Sequence, residues 1–466
     1  MNVRHLSPFL SCLAPIALAA AAAGQDAMPN FGHARARELA ELGKLPGAMD
    51  VVVRDLVNYH RHRLPLPTAN HDVALDVRCD RATAGVGDEV WLQVGYTTAP
   101  QGDRSLARPS AVALVVDVSG SMADAGKLTA VQSGLRAFVD RLRADDEVAL
   151  VTFSTEAELV QRRRPRGDGR WLHAAIDRLT PGGNTNLHAG LMLGLDELSR
   201  GDLGERHRRV IVLTDGIANR GVTAPEQIVA DTTRRAEATI DISTIGVGQN
   251  LDVPLLQRLA AGCRGLFHFV ADGADVQKVF VQEADALLAA VARRVRLEIE
   301  LPDGLALERV YHEGVTFHGN RLTMTLPDLN AGVTGVVLVR CRLVRDPLEA
   351  MSAPVDLAFD SVATQRPVRM RAYGLLGDSH AASAKNAIDL EVRKNAAIAV
   401  LSQGLADMAK ACDQSRWADA DRALQRASDE AQRLFPGEDA DVQRVRDIAA
   451  GHDKTLRRYV ERFRDR

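Results

Sequence analysis

The chain has 466 residues, too many for one ordinary core, which points to about two to four domains. Apolar residues make up 46% and charged residues 26%, values that argue against a disordered or fibrous chain. A formal net charge of −3, with 4% aromatics and no basic stripe, argues against nucleic acid or an anionic membrane surface as partner.

The N-terminus reads as an export signal. Arg4 and His5 precede an apolar stretch from Phe9 to Ala23, and cleavage is expected near Ala23 or Gly24. Residues 1–24 are thus expected to be a signal peptide, sending the mature chain to the periplasm, the cell envelope or the medium. No second stretch is long enough to span a membrane. Beyond Cys12, the cysteines Cys79, Cys263, Cys341 and Cys412 are scattered without a C-x-x-C pair, which argues against zinc. An oxidising compartment would allow one disulfide; small buried apolar roles fit them equally well.

Residues 25–67 read as a polar start and one amphipathic helix, Met49 to Tyr59, with Val52, Val53, Leu56 and Val57 at helical spacing. Leu64-Pro65-Leu66-Pro67 ends it as an extended linker. Within 68–107, His71 to Cys79 and Glu89 to Tyr96 alternate as strands around Gly85 and Gly87. From 108 to 290, strands at 111–116, 147–153, 209–214, 240–246 and 265–270 alternate with helices at 127–142, 187–198, 224–237 and 273–293. Continuous apolar strands between helices indicate a doubly wound, mostly parallel, Rossmann-like sheet, hence an α/β fold. Over 291–378 the period becomes two, as in Arg294-Val295-Arg296-Leu297-Glu298-Ile299-Glu300-Leu301, which reads as a β-sandwich. Two strands at 71–99 are marginal alone. They are expected to join that sandwich, which makes the α/β domain an insertion. Residues 383–466 carry no strand signal and read as a C-terminal domain of two or three packed helices, with Pro436-Gly437 as a break.

In an open α/β sheet, ligands bind beyond the carboxyl ends of the strands. Asp117-Val118-Ser119-Gly120-Ser121 leaves such an end after Ala111 to Val116. Thr214-Asp215-Gly216 leaves another, and Pro181-Gly182-Gly183-Asn184-Thr185-Asn186 is a tight turn opening a helix at Leu187. Asp117, Ser119, Ser121, Thr185 and Asp215 therefore offer hard oxygens to one point. With two carboxylates and no His or Cys, the set suits Mg²⁺ or Mn²⁺; Ca²⁺ normally draws on more carboxylates. A cation with few anionic ligands stays electrophilic, and an acidic side chain of a protein partner could complete its shell.

Asp117-Val-Ser119-Gly-Ser121-Met122, Gly-Gly-Asn-Thr185 and Leu213-Thr-Asp215-Gly216 resemble, in order, the three parts of the metal-ion-dependent adhesion site of von Willebrand factor type A domains. The resemblance covers about 108–290. It implies that Asp117, Ser119, Ser121 and Thr185 coordinate the cation, with Asp215 binding directly or through water. Val53-Arg54-Asp55-Leu56-Val57-Asn58-Tyr59 followed by Leu-Pro is similar to the N-terminal segment of bacterial exported proteins carrying such a domain. The layout is also similar to integrin β chains and inter-alpha-trypsin inhibitor heavy chains.

Simpler readings compete at each position. Asp and Ser cap helices, and Asp215-Gly216 suits a plain turn. Asn184 and Asn186 are expected to shape their turn. Arg166-Gly167-Asp168 spells an adhesion tripeptide, but Arg162-Arg163-Arg164-Pro165-Arg166 reads as a solvated loop. His60 and His62, two apart, would lie on different helix faces. Asp145-Asp146-Glu147 reads as a polar turn, and Trp417 as helix packing. No phosphate-binding loop occurs, since Gly120 to Lys127 misses the spacing by one residue.

No nucleophile with a histidine base is recognisable; His188 is the nearest candidate and reads as a surface group. The favoured function is thus a non-enzymatic, exported binding module that grips an acidic residue of a partner protein through the cation. A metal-assisted hydrolase using the same cation, and a scaffold binding through its helical tail, are the alternatives.

Overall fold

The computed structural model describes residues 31–464 except 69–70, 100–108, 202–203, 205, 238, 249–250, 271–275, 346–349 and 378–387. The signal peptide expected at 1–24, with Cys12, lies outside these residues.

The N-terminal segment holds α1 (Phe31–Glu41), a 3-10 turn (Ala48–Asp50) and α2 (Val53–Val57). The helix expected over Met49 to Tyr59 is therefore shorter than its spacing suggested. Asn58 ends it, because its side chain is committed elsewhere: Asn58 Nδ2 donates to the Val336 carbonyl at 3.2 Å and Asn58 Oδ1 accepts from the Val336 N–H at 2.7 Å. α1 was not foreseen.

β1 (Val73–Cys79) and β2 (Glu89–Thr98) pair antiparallel around a turn in which Gly87 takes φ 92°. The α/β unit follows: β3 (Ser110–Asp117), α3 (Lys127–Arg141), β4 (Glu147–Phe153), β5 (Ala157–Pro165), α4 (Arg170–Ile176), α5 (Leu187–Ser199), β6 (His207–Thr214), α6 (Pro225–Ala236), β7 (Ile240–Val247), α7 (Val253–Gly262), β8 (Arg264–Val270) and α8 (Val276–Ala289). The sheet order is β5-β4-β3-β6-β7-β8, parallel except for β5. Every residue of β3 is buried because both sheet faces are covered. Val112, Leu114 and Val116 face a core completed by α3, α4 and α8. Ala111, Ala113 and Val115 face the core of α5, α6 and α7. The small β3 side chains let α5 approach closely, and the helix answers with glycine. A Cβ on Gly194 would stand 2.6 Å from Val115 Cγ2, and one on Gly190 2.6 Å from Phe153 Cδ1.

β5 corrects the loop expected at 162–166. Arg162 and Arg164 are exposed, as a solvated segment would have them, but the backbone pairs antiparallel with β4, Arg163 pairs with Glu147, and the Arg164 guanidinium lies 3.9 Å from the Trp171 ring centroid. Helices α4 and α7, too short to stand out in the periodicity, were also missed.

Next come β9 (Ala290–Glu300), β10 (Leu305–Val310), β11 (Thr316–His318), β12 (Arg321–Thr325), β13 (Leu329–Asn330), β14 (Thr334–Leu343), β15 (Met351–Ser361) and β16 (Pro367–Leu376). They form two sheets. One runs β1-β2-β14-β10; the other runs β11-β12-β9-β15-β16, with β13 on β9. β2 lies between β1 and β14, so strands from before and after the α/β unit share one ladder.

α9 (Leu390–Asp413), α10 (Trp417–Leu434) and α11 (Ala440–Arg464) complete the chain. α9 covers the outer face of the four-stranded sheet. Its Val392, Ala396 and Val400 share a core with Trp91, Val336, Leu338 and Leu56. The result is a helix–sheet–sheet stack beside the α/β unit.

Cys79, Cys263, Cys341 and Cys412 are free thiols. Cys79 on β1 and Cys341 on β14 flank β2, and two strand spacings of about 4.8 Å exceed the reach of a disulfide. Among the described residues no helix is long and apolar enough to cross a membrane.

Candidate metal centre

Three loops meet at the carboxyl edge of the parallel sheet. β3 delivers Asp117 at its last position, and Ser119 to Ser121 open a 3-10 turn spanning Gly120–Gly126. β6 ends at Thr214 and presents Asp215 next. The loop before α5 crosses between them and is bonded to both. The Gly182 N–H donates to the Val118 carbonyl at 2.7 Å, and the Gly120 N–H donates to the Gly183 carbonyl at 3.1 Å. On the other side, the Thr185 N–H donates to Asn219 Oδ1 at 2.8 Å and the Asn219 N–H donates to the Thr185 carbonyl at 3.0 Å. Gly183, at φ 84°, must be glycine, since a Cβ would lie 2.7 Å from Thr155 Oγ1. Asn186 caps α5 by accepting the Ala189 N–H at 3.2 Å, a turn-shaping role.

The five oxygen-bearing residues expected from the sequence lie together. Asp117, Ser119, Thr185 and Asp215 are buried, and Ser121 is exposed at the rim. Asp117 Oδ1 accepts the Ser119 N–H at 2.8 Å; Asp117 Oδ2 accepts the Thr214 hydroxyl at 2.5 Å. Ser119 Oγ and Ser121 Oγ are 3.2 Å apart, and Ser121 Oγ donates to Asp215 Oδ1 at 2.7 Å. A Cβ on Gly216 would stand 3.5 Å from Thr185 Oγ1 and 4.0 Å from Ser121 Oγ, so these hydroxyls border one small space above the second carboxylate.

Burial pushes the Asp117 carboxyl above its ordinary range; the bonds from Ser119 and Thr214 oppose this and the Asp215 charge adds to it. Two buried carboxylates beside three hydroxyls, with the Gly216 space between them, fit a hard divalent cation. Among the described residues no group of three or more His, Cys, Asp or Glu is placed to hold a metal, so a cation here would rely on hydroxyls beside the two carboxylates.

Three contributors escaped sequence reasoning. Thr214 and Asn219 act through hydrogen bonds to Asp117 and Thr185; the run Leu213-Thr214-Asp215-Gly216 held the signal for the first. Lys127, at the start of α3, places Nζ 2.5 Å from Asp215 Oδ2. No local spacing announced it.

His188 Nε2 lies 3.3 Å from Asp231 Oδ2 on α6, which ties its ring to the neighbouring helix. His60 and His62 do not lie on opposite faces of a helix. They follow α2 outside any helix, His60 in a bend, and their ring centroids are 4.4 Å apart. Asp146 is more than a polar turn: it is buried and accepts the Ser110 N–H at 2.7 Å, fixing the start of β3. Trp417 stacks on Tyr459 at 5.8 Å, in keeping with helix packing.

Residues 112–217 match the family model described as von Willebrand factor type A domain. The chain carries a von Willebrand factor type A domain. Its fold is that of a solved von Willebrand factor type A structure from Catenulispora acidiphila, with a TM-score of 0.55 at 16% identity over 79% of this chain and 91% of that one. Among curated proteins, it is 28% identical over 276 residues to the uncharacterized protein YfbK of Escherichia coli K12, covering 58% of this chain and 48% of the relative. It is 27% identical over 256 residues to human inter-alpha-trypsin inhibitor heavy chain H3, covering 51% of this chain and 27% of the relative. The matched part thus spans about half or less of these relatives' own length. Type A domains are known for protein binding and adhesion; in this one, carboxylates and hydroxyls converge at the carboxyl edge of the parallel sheet.

Proposed function

We propose that the type A domain of this chain is an exported, non-enzymatic binding module whose site holds Mg²⁺ or Mn²⁺ and grips an acidic side chain of a partner protein. Asp117, Ser119, Ser121, Thr185 and Asp215 would hold the cation. When bound, it would supply an electrophilic coordination position for the partner's carboxylate. The chain's own residues do the rest. Ser119 N–H and Thr214 orient Asp117 from below, Asn219 fixes Thr185, and the glycine pair 182–183 keeps the loop low enough for a partner to approach.

The observation that carries this reading is the convergence of three loops, each bringing a buried oxygen-bearing side chain to one point, with Ser121 exposed and Gly216 half-buried beside it. His188 Nε2 lies 3.3 Å from Asp231 Oδ2 on α6, and the binding reading asks nothing of it. The domain limits read from the sequence, with 108–290 as the type A unit, are part of the same proposal.

The test uses the mature chain immobilised with Mg²⁺, with EDTA, or as Asp117→Ala, and challenged with envelope proteins. Mg²⁺-dependent capture lost in Asp117→Ala is expected. Capture indifferent to both EDTA and the substitution would sink the reading, and ester or phosphoester turnover abolished by Asp117→Ala would replace it with a hydrolase.

A further inference from the structure

Lys127 opens α3, directly after the 3-10 turn that carries Ser121. Its side chain turns back toward the sheet edge. Nζ lies 2.5 Å from Asp215 Oδ2 and 3.4 Å from the Ser121 carbonyl oxygen. The turn after β7 forms the outer wall: a Cβ on Gly248 would stand 3.7 Å from Lys127 Cε and 3.9 Å from Nζ. The lysine side chain is 22% exposed, and that of Asp215 is 0% exposed. Both oxygens of Asp215 are therefore engaged, one by this ammonium and the other by the Ser121 hydroxyl.

We propose that Lys127 is a tethered counter-ion of the metal centre, whose ammonium competes with the divalent cation for Asp215 and so sets the affinity of the site. The inference rests on the cation reading above. A buried carboxylate needs a positive partner, and without a metal the lysine is that partner. A divalent cation drawing on Asp215 must displace the ammonium or share a carboxylate with it. Repulsion between charges a few Å apart near a protein surface is large enough to change affinity by about tenfold or more. The lysine would thus keep the metal-free site neutral enough to stay folded, while making occupancy depend on cation concentration. It does not touch a partner in this scheme; it acts through Asp215 as a positioning residue.

The experiment measures Mn²⁺ binding by loss of the free-ion electron paramagnetic resonance signal, in the wild type, Lys127→Met, Lys127→Gln and Lys127→Arg. Melting in EDTA serves as a folding control. Both neutral variants should bind Mn²⁺ about tenfold or more tightly than wild type, while melting lower than wild type without metal. Lys127→Arg, which keeps the charge, should bind about as wild type does. Equal or weaker Mn²⁺ binding by a folded neutral variant, with the wild type binding, overturns the role of Lys127 alone. Absence of Mn²⁺ binding in all four proteins overturns the cation site and this inference together.

Discussion

Thr214 Oγ donates a 2.5 Å hydrogen bond to Asp117 Oδ2, joining the residue before one carboxylate to the other carboxylate. Two strands of the sheet are thereby tied at the point where they deliver their carboxylates. Removing a donor from a buried charged group costs about 1.5–3 kcal/mol. Thr214→Val should therefore lower the urea midpoint in EDTA, and Thr214→Ser should restore most of it. A Thr214→Val protein as stable as wild type would show that Asp117 does not depend on this bond.

Cation binding to the folded state alone should stabilise it by mass action. At a concentration one hundred times Kd the gain is about 2.7 kcal/mol. Calorimetry should therefore show the melting of the wild type rising with Mg²⁺ and falling back with EDTA, and the melting of Asp117→Ala indifferent to both. An equal Mg²⁺ shift in Asp117→Ala would place the ion elsewhere.

The buried histidines behind α2 predict acid sensitivity. Burial lowers both His60 and His62 below the ordinary value of 6.5; the Asp441 carboxylate partly opposes this for His60, while His60 and Lys394 push His62 down further. Glu391 and Asp439 also face this group, and His60 Nε2 lies 3.8 Å from Asp441 Oδ2. The folded state refuses protons that the unfolded state accepts, so the neutral rings contribute fully above about pH 6.5. As pH falls below that value, each ring that stays neutral costs about 1.4 kcal/mol per unit. His62→Gln should be less stable than wild type at pH 8, and the gap should narrow at pH 5. A gap that stays constant or widens would refute the linkage.

Along β6, β7 and β8, a buried ionic cluster fastens α8 to the sheet. Glu283 lies 3.4 Å from Arg209 Nη1 and 2.5 Å from His268 Nε2, and Arg209 also reaches Asp241 at 3.5 Å. Breaking one partner of such a set strands a charge, at a cost of about 3–5 kcal/mol. Glu283→Ala should cost that much in denaturant titrations, with Glu283→Leu less severe only if Arg209 is replaced by Met as well.

The elements readable in advance were those whose physics is local. β3 and β6 are continuous apolar runs, so their ends, and hence Asp117 and Asp215, could be placed from the sequence. The glycine pair 182–183 announced its turn. β5 could not be read, because Gln161 to Arg164 form a strand only through the β4 ladder and the Trp171 ring. α4 and α7 gave too few turns for periodicity to speak. His60 and His62 were misjudged by applying helical spacing beyond Val57, where α2 had already ended. Lys127 was hidden for a different reason: its contact with Asp215 spans 88 positions and exists only once three loops have met.

β2 enters the α/β unit from one sheet of the sandwich, and β9 leaves it into the other, continuing straight from α8. The two tethers are therefore long strands embedded in separate ladders, β2 between β1 and β14 and β9 between β12 and β15. Tension arriving at the site along these tethers loads many backbone hydrogen bonds at once in shear, instead of peeling them one by one. A handle at Ile217→Cys, pulled against the C-terminus in an optical trap, leaves β2 outside the loaded chain and tests the β9 tether, which should open in an abrupt step. A gradual, low-force peeling would show that the grip of the site is not mechanically backed by the sandwich.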